Sequence, residues 1–140
     1  MAVYLTCMAK IKRTKELEGR WHLFSRLIQV VWVLSIALVA YLSLSPQIDL
    51  PFGFKGIDKV YHSLAYLWLA AIPFLGFQSI TIALAGALLM IPFGIGLEYA
   101  QDYVHGRFFS VADMIANGAG VVLGMTLGKY LKSWFFASYR

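Results

Sequence analysis

The feature that most constrains this chain is a succession of four apolar stretches, at roughly residues 27–44, 60–77, 79–99 and 111–128. Each is near the ~20 residues a helix needs to cross ~30 Å of hydrocarbon. The runs are continuous rather than alternating, which argues against a membrane barrel built of in-out strands. With 140 residues there is room for one domain. A composition of 60% hydrophobic and 14% charged residues leaves too little polar surface to cover a water-soluble globule of that size. The expected architecture is therefore all-α, a polytopic membrane four-helix bundle over residues 27–136, preceded by a basic N-terminal segment over residues 1–26.

The breaks between the stretches carry turn chemistry. Ser45-Pro46 and Pro51-Phe52-Gly53 follow the first, and Gly106 separates the third from the fourth. The second break, Gly76-Phe77-Gln78-Ser79, has no charge and leaves two readings, a tight hairpin or a turn of helix that misdivides spans two and three. Pro73 and Pro92 fall inside spans two and three, where a helix tolerates them if neighbours satisfy the freed carbonyls. Cys7 has no partner and implies no disulfide. The basic run follows the mildly apolar first nine residues instead of preceding them, so no cleaved signal peptide is expected.

Orientation follows from the cations. Lys10, Lys12, Arg13, Lys15, Arg20 and Arg26 precede the first span, and Lys129, Lys132 and Arg140 follow or end the fourth. Only Lys55, Lys59 and Arg107 lie on the opposite side. A nine-to-three split places both termini in the cytoplasm, with the loops after spans one and three outside. The net charge of +5 is then a topology and headgroup signal, and no nucleic-acid partner is expected.

The acids sort the other way. Asp49, Asp58, Glu98, Asp102 and Asp113 lie at or near the outer ends of spans, and ionisable groups there are costly unless they face the bundle interior and pair. Asp58, His62 and Tyr66 are spaced by four and share a helix face running inward. Asp58 also suits a helix cap or first turn. Glu98, the deepest acid, has Gln101 and Asp102 on its face and calls for burial as a neutral acid or pairing with Arg107 or Lys59. Ser110 reads as an N-cap with Asp113 three residues on, a capping-box variant. Asp113 and Asn117 share a face that continues into Gly120, Gly124 and Gly128, a small-residue ridge for close helix packing.

Leu44-Ser45-Pro46, Asp58-Lys59-Val60-Tyr61-His62 with Tyr66, Glu98 to Gln101, Arg107 to Ser110, Asp113 and Asn117-Gly118 with Gly120 together resemble the VanZ-like family of bacterial membrane proteins. That family is named for a protein associated with teicoplanin resistance. The pattern covers most of the chain and departs at His105-Gly106, where such loops often have a proline before the glycine. The resemblance implies a four-helix bundle in the bacterial cytoplasmic membrane, sometimes linked to glycopeptide tolerance, and supplies no settled reaction.

The functional expectation is an outer-face site that binds or processes an envelope lipid or lipid-linked molecule. His62 and Glu98 are the candidate acid and base, with Asp58 or Asp113 orienting the histidine. Lys59 and Arg107 would hold an anionic headgroup, with Tyr66, Gln101, Ser110 and Asn117 as further ligand contacts. Two other classes compete. A proton-coupled transporter would use the same acids as a relay and would need to assemble as a homo-oligomer; a structural or accessory protein would use them only to fix helix packing. Asp58, His62, Glu98 and Asp113 have metal-ligand chemistry but no compact motif, so neither metal nor cofactor is expected.

Overall fold

The computed structural model describes the backbone of residues 2–46 and 56–137 and the side chains of residues 19–46 and 56–135. The turn signal Pro51-Phe52-Gly53, Asp49, Lys55 and Arg140 lie outside the described residues, as do the side chains of Cys7, Lys10, Lys12, Arg13 and Lys15. All regular structure described is helical: α1 (Ala2–Ser43), α2 (Ile57–Gly76), α3 (Ile80–Leu88), α4 (Met90–Gln101) and α5 (Val111–Ala137). The molecule is an all-α membrane four-helix bundle in which α3 and α4 together form the third span. The basic N-terminal segment is continuous with the first span as one helix.

Both prolines leave a physical trace. Pro92 has no N–H for the carbonyl of Leu88, and the helix is interrupted at Leu89, one turn before it. Leu89 keeps right-handed helical dihedrals (φ −61°, ψ −19°). Its N–H reaches the Ala85 carbonyl at 2.9 Å and its own carbonyl accepts from Phe93 at 3.2 Å, so the span carries on through the break. Pro73 sits inside α2 and deprives the Leu69 carbonyl of its partner. The indole N–H of Trp32 on α1 donates to that carbonyl at 2.8 Å. One helix thus supplies the donor another lacks, as a lipid-embedded backbone requires. The connection between α2 and α3 is a tight hairpin, one of the two readings of that break, with Phe77 extended and Ser79 capping α3 through its hydroxyl, which accepts from the N–H of Ile82.

Three helical stretches are long and apolar enough to cross a membrane, Gly19–Ser43, Ile80–Gln101 and Val111–Phe135. The 20-residue α2 is not among them, yet it is the helix that packs against all the others, with one face left open at Val60, Tyr61, Leu64 and Trp68. Tyr66, Leu69, Ala70 and Phe74 of α2 form the core with Ala83, Ala87, Met90 and Val121. The outward faces of α1, α3, α4 and α5 present Leu, Val, Ile and aromatic side chains. Lipid is as apolar as a protein core, so hydropathy here marks helices that face lipid and passes over α2, whose opening turns carry Asp58, Lys59 and His62.

The glycine ridge explains how α2 is held. A Cβ added at Gly120 would collide with the carbonyl of Ser63, one at Gly124 with the carbonyl of Leu67, and one at Gly128 with the ring of Phe74. The α5 backbone therefore lies directly on α2 along two full turns, a small-residue contact that lets dispersion forces act over the whole interface. Its consequence for the site is register: the contact fixes Asp113 and Asn117 against the opening turns of α2.

Candidate functional site

The polar residues do gather at one end of the bundle. Glu98, Gln101, Asn117 and Asp113 are 1%, 3%, 5% and 8% exposed, the buried polar side chains of the described residues. Each is placed by a helix end. Glu98 and Gln101 lie in the last turn of α4, Asp113 in the first turn of α5 with Asn117 one turn further, and Lys59 and His62 in the opening turns of α2.

Glu98 is buried, as the first of its two expected alternatives requires, and it has a capping role as well. Its Oε1 accepts the backbone N–H of Ser110 at 2.9 Å. Ser110 in turn caps α5: its hydroxyl accepts the N–H of Asp113 at 3.3 Å. In a capping box the N3 carboxylate returns to the N-cap N–H. Here the returning carboxylate comes from another helix, so α4 and α5 are joined through it and Asp113 is released from capping. Among the described residues no cation is ion-paired to Glu98, so of the two alternatives the pairing with Arg107 or Lys59 is the one not realised.

Arg107 faces the end of α1. Its Nε donates to the Ser45 carbonyl at 3.2 Å and its Nη2 to the Leu42 carbonyl at 3.1 Å. Gln101 Nε2 donates to the Ser43 carbonyl at 3.0 Å. The last carbonyls of a helix have no intrahelical donor and carry the negative end of its dipole, so a guanidinium and an amide are apt partners. Gly106, at φ +78°, allows the loop to turn Arg107 back toward α1.

Asp113 pairs across the α2–α5 contact. Its Oδ1 lies 3.3 Å from Lys59 Nζ, an ion-pair approach off the hydrogen-bonding direction, and Lys59 also donates to Asp58 Oδ2 at 2.8 Å. Asp58, ahead of the apolar stretch that starts at Val60, has its pKa lowered, chiefly by that hydrogen bond. It lies in the first turn of α2, one of the two places expected for it, and not at the cap: Gly56 holds the N-cap position and no side chain caps α2. Beside this pair, His62 Nδ1 and Asn117 Oδ1 are 3.1 Å apart, which fits a protonated Nδ1 donating to the amide oxygen.

The expected face of Asp58, His62 and Tyr66 is realised as a gradient from exposed through half-buried to buried. Tyr66 belongs to the core. Its ring packs so closely on Gly94 that a Cβ there would lie 2.8 Å from it, and its buried hydroxyl has no hydrogen-bond partner among the described residues. No three His, Cys, Asp or Glu side chains among the described residues are grouped to hold a metal ion.

Asn117 has a second neighbour that the sequence did not announce. It borders a groove of about 200 Å³ between α4 and α5, otherwise lined by Ile91, Ile95, Val111, Met114, Ile115 and Gly118. Most of these residues are exposed, so the groove opens on the lipid-facing surface. Also missed was Trp32, for which the signal was present: Pro73 announces an unpartnered carbonyl four residues earlier. Comparisons with protein-family models, curated proteins and solved structures find no match.

Proposed function

We propose that this chain is a VanZ-like protein of the bacterial cytoplasmic membrane that binds an envelope lipid or lipid-linked molecule at the outer face. The observation that carries the reading is the position of Asn117, which touches the His62 ring on one side and borders an apolar, laterally open groove on the other. A ligand with an apolar chain in the groove brings its headgroup to His62, Lys59 and Asp113. Lys59 suits an anionic headgroup, since its ammonium already bridges two carboxylates and can exchange one for the ligand. If the ligand is processed, His62 is the group placed for proton transfer, with Asn117 fixing its tautomer. Glu98, Gln101, Ser110 and Arg107 stand behind this surface as the caps that hold α1, α4 and α5 together. An effect on glycopeptide tolerance would follow from occupancy of such an envelope lipid.

The test is photo-crosslinking of the reconstituted full-length protein with a prenyl phosphate carrying a diazirine in its chain. Crosslinks are expected at Ile95, Met114 or Ile115. Ile95→Trp, which fills the groove, should abolish them, and Lys59→Gln should weaken them about fivefold, as for a lost surface charge contact. Unaltered crosslinking in both variants would remove the proposal. Glu98→Gln retains a carbonyl acceptor for Ser110 and should insert and bind normally, whereas Glu98→Ala should lower thermal stability by about 1–3 kcal/mol.

A specific observation also favours a structural reading of part of the cluster: the contacts of Arg107 and Gln101 are all to α1 carbonyls. On that reading His62→Ala leaves crosslinking and glycopeptide tolerance unchanged while Arg107→Ala destabilises the bundle.

A further inference from the structure

We infer that the end of the bundle opposite the polar cluster carries a second site, a cleft that holds the phosphate of an anionic phospholipid headgroup from the surrounding bilayer. The inference rests on the chain being embedded in a membrane and not on the reading of the cluster.

The cleft has a volume of about 360 Å³ and lies between α1 and the α2–α3 hairpin, with His22, Ser25, Arg26 and Gln29 on one wall and Phe77 and Ile82 on the other. Three features determine its chemistry. The first is charge. The Arg26 guanidinium borders it, the His22 ring adds an N–H donor and, among the described residues, no carboxylate lines it. Arg26 and His22 are one turn apart on α1, so both side chains project to the same side of the helix. The second is the treatment of the hairpin's carbonyls. Lys132 of α5 donates to the carbonyls of Phe77 at 2.6 Å and Gln78 at 2.8 Å, and Gln29 donates to that of Gly76 at 2.9 Å. The acceptors that would repel an anion are thereby occupied. The hairpin backbone then turns into the start of α3, whose dipole adds a small favourable potential. The third is position. Ile82 and the Phe77 ring continue the wall toward the hydrocarbon, so a charged group here has an apolar continuation along the helices. A guanidinium at the membrane boundary, flanked by an apolar path, fits a phosphodiester attached to acyl chains better than a free anion.

Native mass spectrometry of the full-length protein in detergent, with phosphatidylglycerol and phosphatidylcholine in equal amounts, tests this. Wild type should retain phosphatidylglycerol preferentially. Arg26→Gln and His22→Gln should each reduce that preference, Arg26→Gln by about fivefold. Ile82→Trp narrows the cleft without touching a charge, and it should reduce the preference as well. Arg20→Gln removes the same charge one and a half turns away, outside the cleft, and should have little effect. An equal loss with Arg20→Gln would mean diffuse attraction of the basic end and would overturn the site. So would retention of the preference in both Arg26→Gln and Ile82→Trp. Competition by glycerol phosphate at equal concentration would overturn the assignment to a lipid. All variants are compared in a Lys59→Gln background, so that anionic lipid held at the cluster does not contribute to the preference and failure here is separate from failure there.

Discussion

Trp32 and Pro73 form a single device. Pro73 leaves the Leu69 carbonyl without a helical donor deep in the bundle, and the Trp32 indole supplies one from α1. A buried carbonyl without a partner costs about 1–3 kcal/mol. Trp32→Phe keeps most of the ring that packs edge-on against Phe77, with centroids 5.8 Å apart, and removes the donor. It should therefore lower thermal stability by that amount. In a Pro73→Ala background the helix regains its own N–H, and Trp32→Phe should cost about 1 kcal/mol less, a coupling within reach of a double-mutant cycle. Equal losses in the two backgrounds would show that Trp32 contributes packing alone. The same reasoning explains how much of the cluster was legible. His62, Glu98, Asp113 and Asn117 stood out because polar residues inside apolar runs are expensive and sort to one end. The partners of Arg107 and Gln101 did not, because these side chains answer carbonyls at the end of α1, more than fifty residues away, and nothing in a linear sequence says which helix end a loop arginine will meet.

The α2–α5 contact belongs to the scale of whole helices. Its fit depends on three missing side chains, and each stands against a definite atom of α2. Gly124→Ala would drive a methyl group into the Leu67 carbonyl and the Ala70 side chain, so the helices must separate, at a cost of about 1–3 kcal/mol. Gly118 lies on the same helix with nothing within 4 Å of an added Cβ. Gly118→Ala should be neutral or stabilising by up to about 1 kcal/mol, through helix propensity. Comparing the thermal midpoints of the two variants separates close packing from propensity, and a similar loss in both would sink the packing account. The ridge was legible because a four-residue glycine period has one common use in a membrane helix. The break at Leu89 was not, because a proline marks a kink without fixing the residue at which regular helix stops. Nor was the central place of α2 stated by hydropathy, which ranks helices by fitness for lipid and so passes over a helix whose opening turns are polar.

At the scale of the whole molecule, the two ends are chemically opposed. One end holds the capped, ion-paired cluster, and the other holds the Lys132-capped hairpin, the Arg26 cleft and an aromatic contact of Trp21 and Phe24 with Phe135, centroids 5.8 and 6.0 Å apart. The bundle fixes this polarity, whereas the side of the membrane each end faces is an inference from the cation split, nine at one end and three at the other. The two can be tested apart. Tyr103, 91% exposed in the loop after α4, marks the cluster end, and Ser133, exposed near the end of α5, marks the other. With Cys7 replaced by serine, Tyr103→Cys should be labelled in intact cells by a membrane-impermeant maleimide, and Ser133→Cys only after permeabilisation. Labelling of both positions from one side would contradict the antiparallel bundle itself, because α5 separates them. Labelling of Ser133→Cys alone in intact cells would keep the bundle and invert it, which would place the cluster on the cytoplasmic leaflet and turn its ligand from an outer-leaflet lipid to an inner-leaflet one.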